Sequence, residues 1–179
     1  MQQEIEVKIL EIPVEETVKK LESLGAVKVF DGPIESILFD YADSWLWKKK
    51  RACRLRKMGD KVQFVLKENK SYEDVKHNVE YEVEVSDFDT MKEIILRMGL
   101  AQKYESKKRR VSYQLEDAHY EFDTIDGIPT YLELEVHIHA DLEKYLGLIG
   151  YTMKDTVDFG ERRVREHYHL VPSRRGRRR

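Results

Sequence analysis

A single cysteine, Cys53, is all the sequence offers for disulfide chemistry, so no intramolecular bridge can form. No apolar run approaches the length of a membrane span. The opening Met1-Gln2-Gln3-Glu4 has neither the basic flank nor the apolar stretch of a secretory signal. No glycine-rich segment has the spacing that cradles nucleotide phosphates. These absences point to a reducing compartment, and the expectation is a cytoplasmic protein with no membrane contact.

Net charge is also close to absent, at −2, but it conceals a skew. The end Ser173-Arg174-Arg175-Gly176-Arg177-Arg178-Arg179 holds five of the 32 basic residues, which leaves the remainder distinctly acidic. A basic run at a terminus can bind nucleic acid, but one this short, without interleaved aromatics, is more often a solvated, disordered end. A chain of 179 residues supports one substantial core and falls short of two comfortable domains. The expectation is one domain over 1–170 and a disordered, Arg-rich tail over 171–179.

Three times a Glu-x-Glu-Val pattern precedes a helical pattern closed by glycine: Glu4-Ile5-Glu6-Val7, Glu80-Tyr81-Glu82-Val83 and Glu133-Leu134-Glu135-Val136. Residues two apart in a strand share a face, so each copy sets two carboxylates against an apolar side. Like charges so placed repel, and repetition on one sheet calls for cations among the strands. Those cations are metal ions or Lys and Arg.

Alternation predicts strands over 4–10, 27–30, 37–40, 51–57, 62–67, 80–85, 106–113, 119–125 and 131–139. Helical spacing predicts helices over 14–24, 88–98 and from Leu142 toward Gly150, with Asp141 as a cap for the last. The connection 68–78 is polar and reads as a mobile loop. The recurrence of strand, helix and glycine suggests an internally duplicated chain.

The basic strands share this two-sided pattern. If Val111 and Tyr113 pack beneath helices, Lys108 and Arg110 face the carboxylates; likewise Arg54 and Arg56 flank Leu55, and Glu121 and Asp123 flank Phe122. One copy alone would be an ordinary solvent-facing strand. Several together fit an α+β fold in which a sheet closes on itself, with helices outside and charges lining a central passage. Lys and Arg in such a passage donate to phosphate oxygens, while Glu and Asp hold a hard divalent cation that bridges to the same oxygens. The pairing suggests a polyphosphate bound as its metal complex.

The ordered set Glu4-x-Glu6-x-Lys8, Arg54-x-Arg56, Lys67, Glu80-x-Glu82, Lys108-x-Arg110-x-x-Tyr113, Asp123 and Glu133-x-Glu135 resembles the CYTH superfamily, the triphosphate tunnel metalloenzymes. The resemblance implies a closed eight-stranded antiparallel β-barrel that binds triphosphates with Mg2+ or Mn2+. It implies metal ligation by Glu4, Glu6, Glu133 and Glu135, with Asp123 a further ligand or an acceptor behind them. It implies phosphate clamping by Lys8, Arg54, Arg56, Lys67 and Arg110, with Glu82 a charged partner. Lys108 resembles a lysine that helps activate water.

The chain departs from that pattern at Asn78, where many relatives carry Arg, at Leu38, where a tyrosine is common, and at Val164. His137 and His139 continue the face of Glu133 and Glu135, where a borderline metal could use both sets, but are expected at the rim or in solvent; His167-x-His169 is a weaker pair. Trp45 and Trp47, beside Lys48-Lys49-Lys50-Arg51, fit either base stacking at the mouth or ordinary packing, the latter preferred. The expected partner is inorganic triphosphate, ATP or thiamine triphosphate, with self-association into a homodimer left open. Three readings follow: triphosphate hydrolysis, the first choice; cyclisation of ATP to cyclic AMP and pyrophosphate; and polyphosphate binding without turnover.

Overall fold

The computed structural model describes residues 2–70 and 76–171. All but the first residue of the expected tail, and the middle of the 68–78 connection, lie outside the described residues.

Each of the three Glu-x-Glu strands feeds a helix, as the sequence pattern suggests. β1 (Gln2–Ile9) leads to α1 (Val14–Ser23). Next come β2 (Val27–Asp40), the short α2 (Trp45–Lys48), and the hairpin of β3 (Arg51–Met58) with β4 (Lys61–Asn69). β5 (Lys76–Val85) then leads to α3 (Phe88–Arg97). β6 (Ala101–Leu115) and β7 (Ala118–Ile125) follow, and β8 (Ile128–Val136) leads to α4 (Asp141–Ile149). A 3-10 turn at Met153–Asp155 and α5 (Glu161–His167) complete the described chain. Gly25, Gly99 and Gly150 close the three long helices at φ +88, +93 and +89, where a side chain would be strained.

The strands form a closed antiparallel barrel in the order β1-β5-β4-β3-β2-β6-β7-β8. β1 pairs with both β5 and β8, so the three Glu-x-Glu strands stand side by side. The alternation resolves as expected. Ile5, Val7 and Ile9 face outward into a core with Leu21 of α1 and Leu142 and Leu146 of α4, together with Tyr120, Phe122, Leu132 and Leu134. Across the barrel, Ile37, Phe39, Cys53, Leu55 and Val62 pack under Leu46 of α2 and Ile95 of α3. A third cluster joins Ile125, Ile128 and Tyr131 to Val164 of α5, which fixes that helix at one end of the barrel.

Several boundaries differ from the sequence reading. The two short strands expected over 27–30 and 37–40 are one, because both halves pair with β6 across bulges near Lys28 and Leu38. Much of the polar 68–78 connection is strand, since β4 runs to Asn69 and β5 starts at Lys76; Glu68 pairs with Val79, and Asn69 with Asn78. Barrel hydrogen bonding outweighs polar composition there. β8 ends at Val136, short of His137 and His139. Asp141 is the first residue of α4, whose cap position is Ala140, and no side chain caps that end. α2 and α5 carry too few residues for a periodic signal; α2 exists because Asp40 accepts from the Leu46 and Trp47 amides at 2.8 and 3.0 Å.

Candidate active site

Closure turns the charged faces of the strands inward around a cavity of about 1250 Å³. Its wall includes Glu4, Glu6 and Lys8 from β1, Arg54 and Arg56 from β3, and Lys67 from β4. Glu80 and Glu82 come from β5, Lys108 and Arg110 from β6, and Glu133 and Glu135 from β8. Of the sequence-predicted site residues only Asp123 is absent from the cavity wall. The topology divides the signs: carboxylates dominate β7, β8, β1 and β5, while the arginines and lysines of β3, β4 and β6 face them.

The buried charges are paired, as their desolvation demands. Lys8, only 2% exposed, lies 3.1 Å from Glu6 and 2.5 Å from Glu133. Burial opposes its charge, and Glu133 and Glu6 more than offset that, so its ammonium titrates above the usual lysine range. Lys67 donates to Glu4 at 2.6 Å and also pairs with Glu80, and Asn78 donates to Glu4 at 3.2 Å. Asn78 thus sits among the carboxylates as a neutral donor, where an arginine would add charge.

Arg110 grips Asp123 through two bonds of 2.6 Å and pairs with Glu121 and Glu133. Lys108 reaches the second Asp123 oxygen at 2.7 Å. Asp123 is 0% exposed, and both its oxygens are occupied. Its carboxylate thus lies behind the cavity wall, held by Lys108 and Arg110. Burial raises its carboxyl, but Arg110 and Lys108 prevail and hold it below the usual range.

Unbalanced charge remains on both sides. Burial, with Arg54 and Arg110 close by, pushes the Arg56 guanidinium down to about 10. Arg56 donates to Gln63 at 2.9 and 2.6 Å, and Gln63 donates on to Glu82 at 2.6 Å. The Arg54 Nε is buried with no hydrogen-bond partner. A charged donor left in that state has capacity for an acceptor from outside the protein, which an anion would fit. Opposite, burial and the neighbouring Glu4 and Glu121 hold Glu135 well above the usual carboxylate range. Burial together with Glu133 and Asp123 pushes Glu121 up to about 7, against the pull of Arg110. Burial and a hydrogen bond with Glu4 place Glu80 at about 7 as well.

These surplus oxygen donors match the chemistry of a hard divalent cation. No three of them already converge as a coordination site among the described residues. Glu4, Glu6 and Glu133 lean instead on Lys67 and Lys8.

Several cavity residues escaped the sequence reading. Tyr104 extends the Lys108 face of β6, beyond Ser106, and Glu161 enters from α5. The two-residue spacing could have found Tyr104; nothing in the α5 sequence marked Glu161. His119, opposite Glu135 in the β7–β8 register, lines the cavity, and burial with nearby His137 lowers its pKa. His137 is half-buried and His139 exposed, and neither is among the residues that line the cavity. His167 packs against Tyr168 and Phe159, away from any such role. Trp45 packs edge-on to Tyr41 under Arg51, whereas Trp47 is 63% exposed and lines the cavity mouth.

The CYTH domain model matches residues 2–148. The chain belongs to the CYTH family. Among solved structures, a Pyrococcus horikoshii protein is 23% identical with a TM-score of 0.76, covering 90% of this chain and 98% of its own. A candidate adenylate cyclase from Vibrio parahaemolyticus is 15% identical, TM-score 0.79, with 92% and 98% covered. A candidate adenylyl cyclase from Hippeastrum with a dominant triphosphatase activity is 20% identical, TM-score 0.64, with 94% and 98% covered. At these identities the likeness is one of fold. No curated protein matches the chain. No helix among the described residues is long and apolar enough to cross a membrane.

Proposed function

We propose that this CYTH protein hydrolyses a triphosphate in a reaction dependent on Mg2+ or Mn2+. The observation that carries the reading is the buried, unpartnered Arg54 Nε beside Arg56, facing carboxylates that burial and mutual repulsion leave in surplus. An anion with several oxygens completes the first, and a cation completes the second.

In this reading Arg54, Arg56, Lys8, Lys67 and Arg110 donate to phosphate oxygens, and Glu82 holds Arg56 through Gln63. Glu4, Glu6, Glu133 and Glu135 supply metal ligands, with Asp123 behind them. A bound divalent cation would neutralise charge on the phosphate chain and at the phosphorus under attack. Lys108, directed by Asp123, holds the attacking water. Positioning and charge neutralisation supply most of the acceleration in such a reaction.

The test is to offer inorganic triphosphate, ATP and thiamine triphosphate separately with Mg2+ and Mn2+ and to identify the products. Release of phosphate, with inorganic triphosphate consumed at least as well as ATP, supports hydrolysis. Cyclic AMP with stoichiometric pyrophosphate, and negligible turnover of inorganic triphosphate, assigns a cyclase instead. Metal-independent binding without product identifies a binding protein.

A further inference from the structure

Lys108 touches two carboxylates, and only one belongs to the barrel. Asp123 is its near partner at 2.7 Å; the other is Glu161, whose Oε2 lies 3.7 Å from the Lys108 Nζ. Glu161 opens α5, beyond the residues matched by the CYTH domain model.

The Glu161 carboxylate is held on several sides. Tyr104 donates to Oε1 at 3.4 Å and Ser106 to Oε2 at 3.3 Å, both from the strand face that carries Lys108. Arg165, one turn along α5, donates to Oε1 at 3.1 Å. Val164, fully buried against Ile125, Ile128 and Tyr131, fixes the helix. The Val157–Lys8 backbone bridge ties the preceding segment to β1. A carboxylate anchored so firmly and opening onto the cavity has a narrow range of positions to offer a cation.

We propose that Glu161 is a positioning residue: it holds the Lys108 ammonium between α5 and Asp123, so that α5 completes a catalytic site the barrel alone leaves open. Two anchors, one on β7 and one on α5, restrict the lysine's rotamers more than a single partner would. In this role Glu161 acts through Lys108 and not on the phosphates themselves. This inference rests on the triphosphate reading for its kinetic arm only.

The experiment compares the full-length wild type with Glu161→Gln and Glu161→Asp, using inorganic triphosphate and Mg2+. Kinetics are run beside calorimetric binding of triphosphate, and the Lys108 Nζ signal is followed by NMR of 15N-lysine-labelled protein. Glu161→Gln is expected to lower kcat by about tenfold while KM and affinity change less than about twofold, because only an interaction acting at the reaction step is lost. Glu161→Asp is expected to recover most of that loss, and Glu161→Gln to move the Lys108 signal. An unchanged kcat, or a loss expressed only in KM, overturns the proposal. If the wild type turns over no triphosphate, the functional reading fails and the NMR arm decides: a Lys108 signal unmoved by Glu161→Gln overturns the contact.

Discussion

Lys67 Nζ donates to Glu4 Oε2 at 2.6 Å, joining β4 to β1 across the intervening β5. The two residues are 63 positions apart, and each is a candidate for a different ligand. In this arrangement they satisfy one another. Under the proposed function, metal at Glu4 and phosphate at Lys67 would exchange this internal pair for two external ones and keep the buried charge compensated.

Removing one carboxylate from β1 should therefore disable the metal half of the exchange. Glu4→Gln and Glu6→Gln are expected to abolish metal-dependent turnover while the fold persists, since volume hardly changes. Circular dichroism and a metal titration of activity check this. Near-normal rates with unchanged metal dependence would remove both residues from the site.

Arg54→Ala and Arg56→Ala should act through recognition. A charge-assisted bond to a phosphate oxygen is worth about 1.5–3 kcal/mol, so affinity for triphosphate should fall tenfold or more. Calorimetry with the metal complex reads it directly, and equal affinity in both variants would place these arginines outside the site.

Asp123→Ala should be the most damaging single change to stability. It strands Arg110, 4% exposed, and Lys108 without their main acceptor. Breaking a buried pair from one side costs about 3–5 kcal/mol. Urea unfolding checks the value, and a loss below about 1 kcal/mol would mean the remaining carboxylates compensate.

The raised carboxyls of Glu80 and Glu121, both at about 7 against an ordinary 4.5, set a pH dependence. Both burial and nearby carboxylates favour the protonated form in the fold, so the native state binds more protons than the unfolded chain between these values. Their contribution is fully present below the unfolded pKa and is lost as pH rises through about 7. Metal-free protein should accordingly melt at lower temperature at pH 8 than at pH 5.5, and Mg2+ should raise the midpoint more at pH 8. A melting temperature that climbs across this window would contradict the assignment.

Residues two apart share a strand face whatever the fold, and for that reason the sequence alone determined that Glu4, Glu6, Lys108 and Arg110 would turn away from the helices. A second local rule, helical spacing of apolar residues ended by glycine, marked the helices that follow the Glu-x-Glu strands. Tertiary structure decided which strands are neighbours. Placing β8, β1 and β5 side by side depends on hydrogen bonding between segments more than 50 residues apart, which no local pattern encodes. It also decided that Asp123 lies behind the wall, because two cations from β6 reach it first, and that Glu161 arrives from a seven-residue helix held by Val164 against the barrel end. Face and period are properties of a few consecutive residues; proximity across a closed barrel belongs to the whole chain.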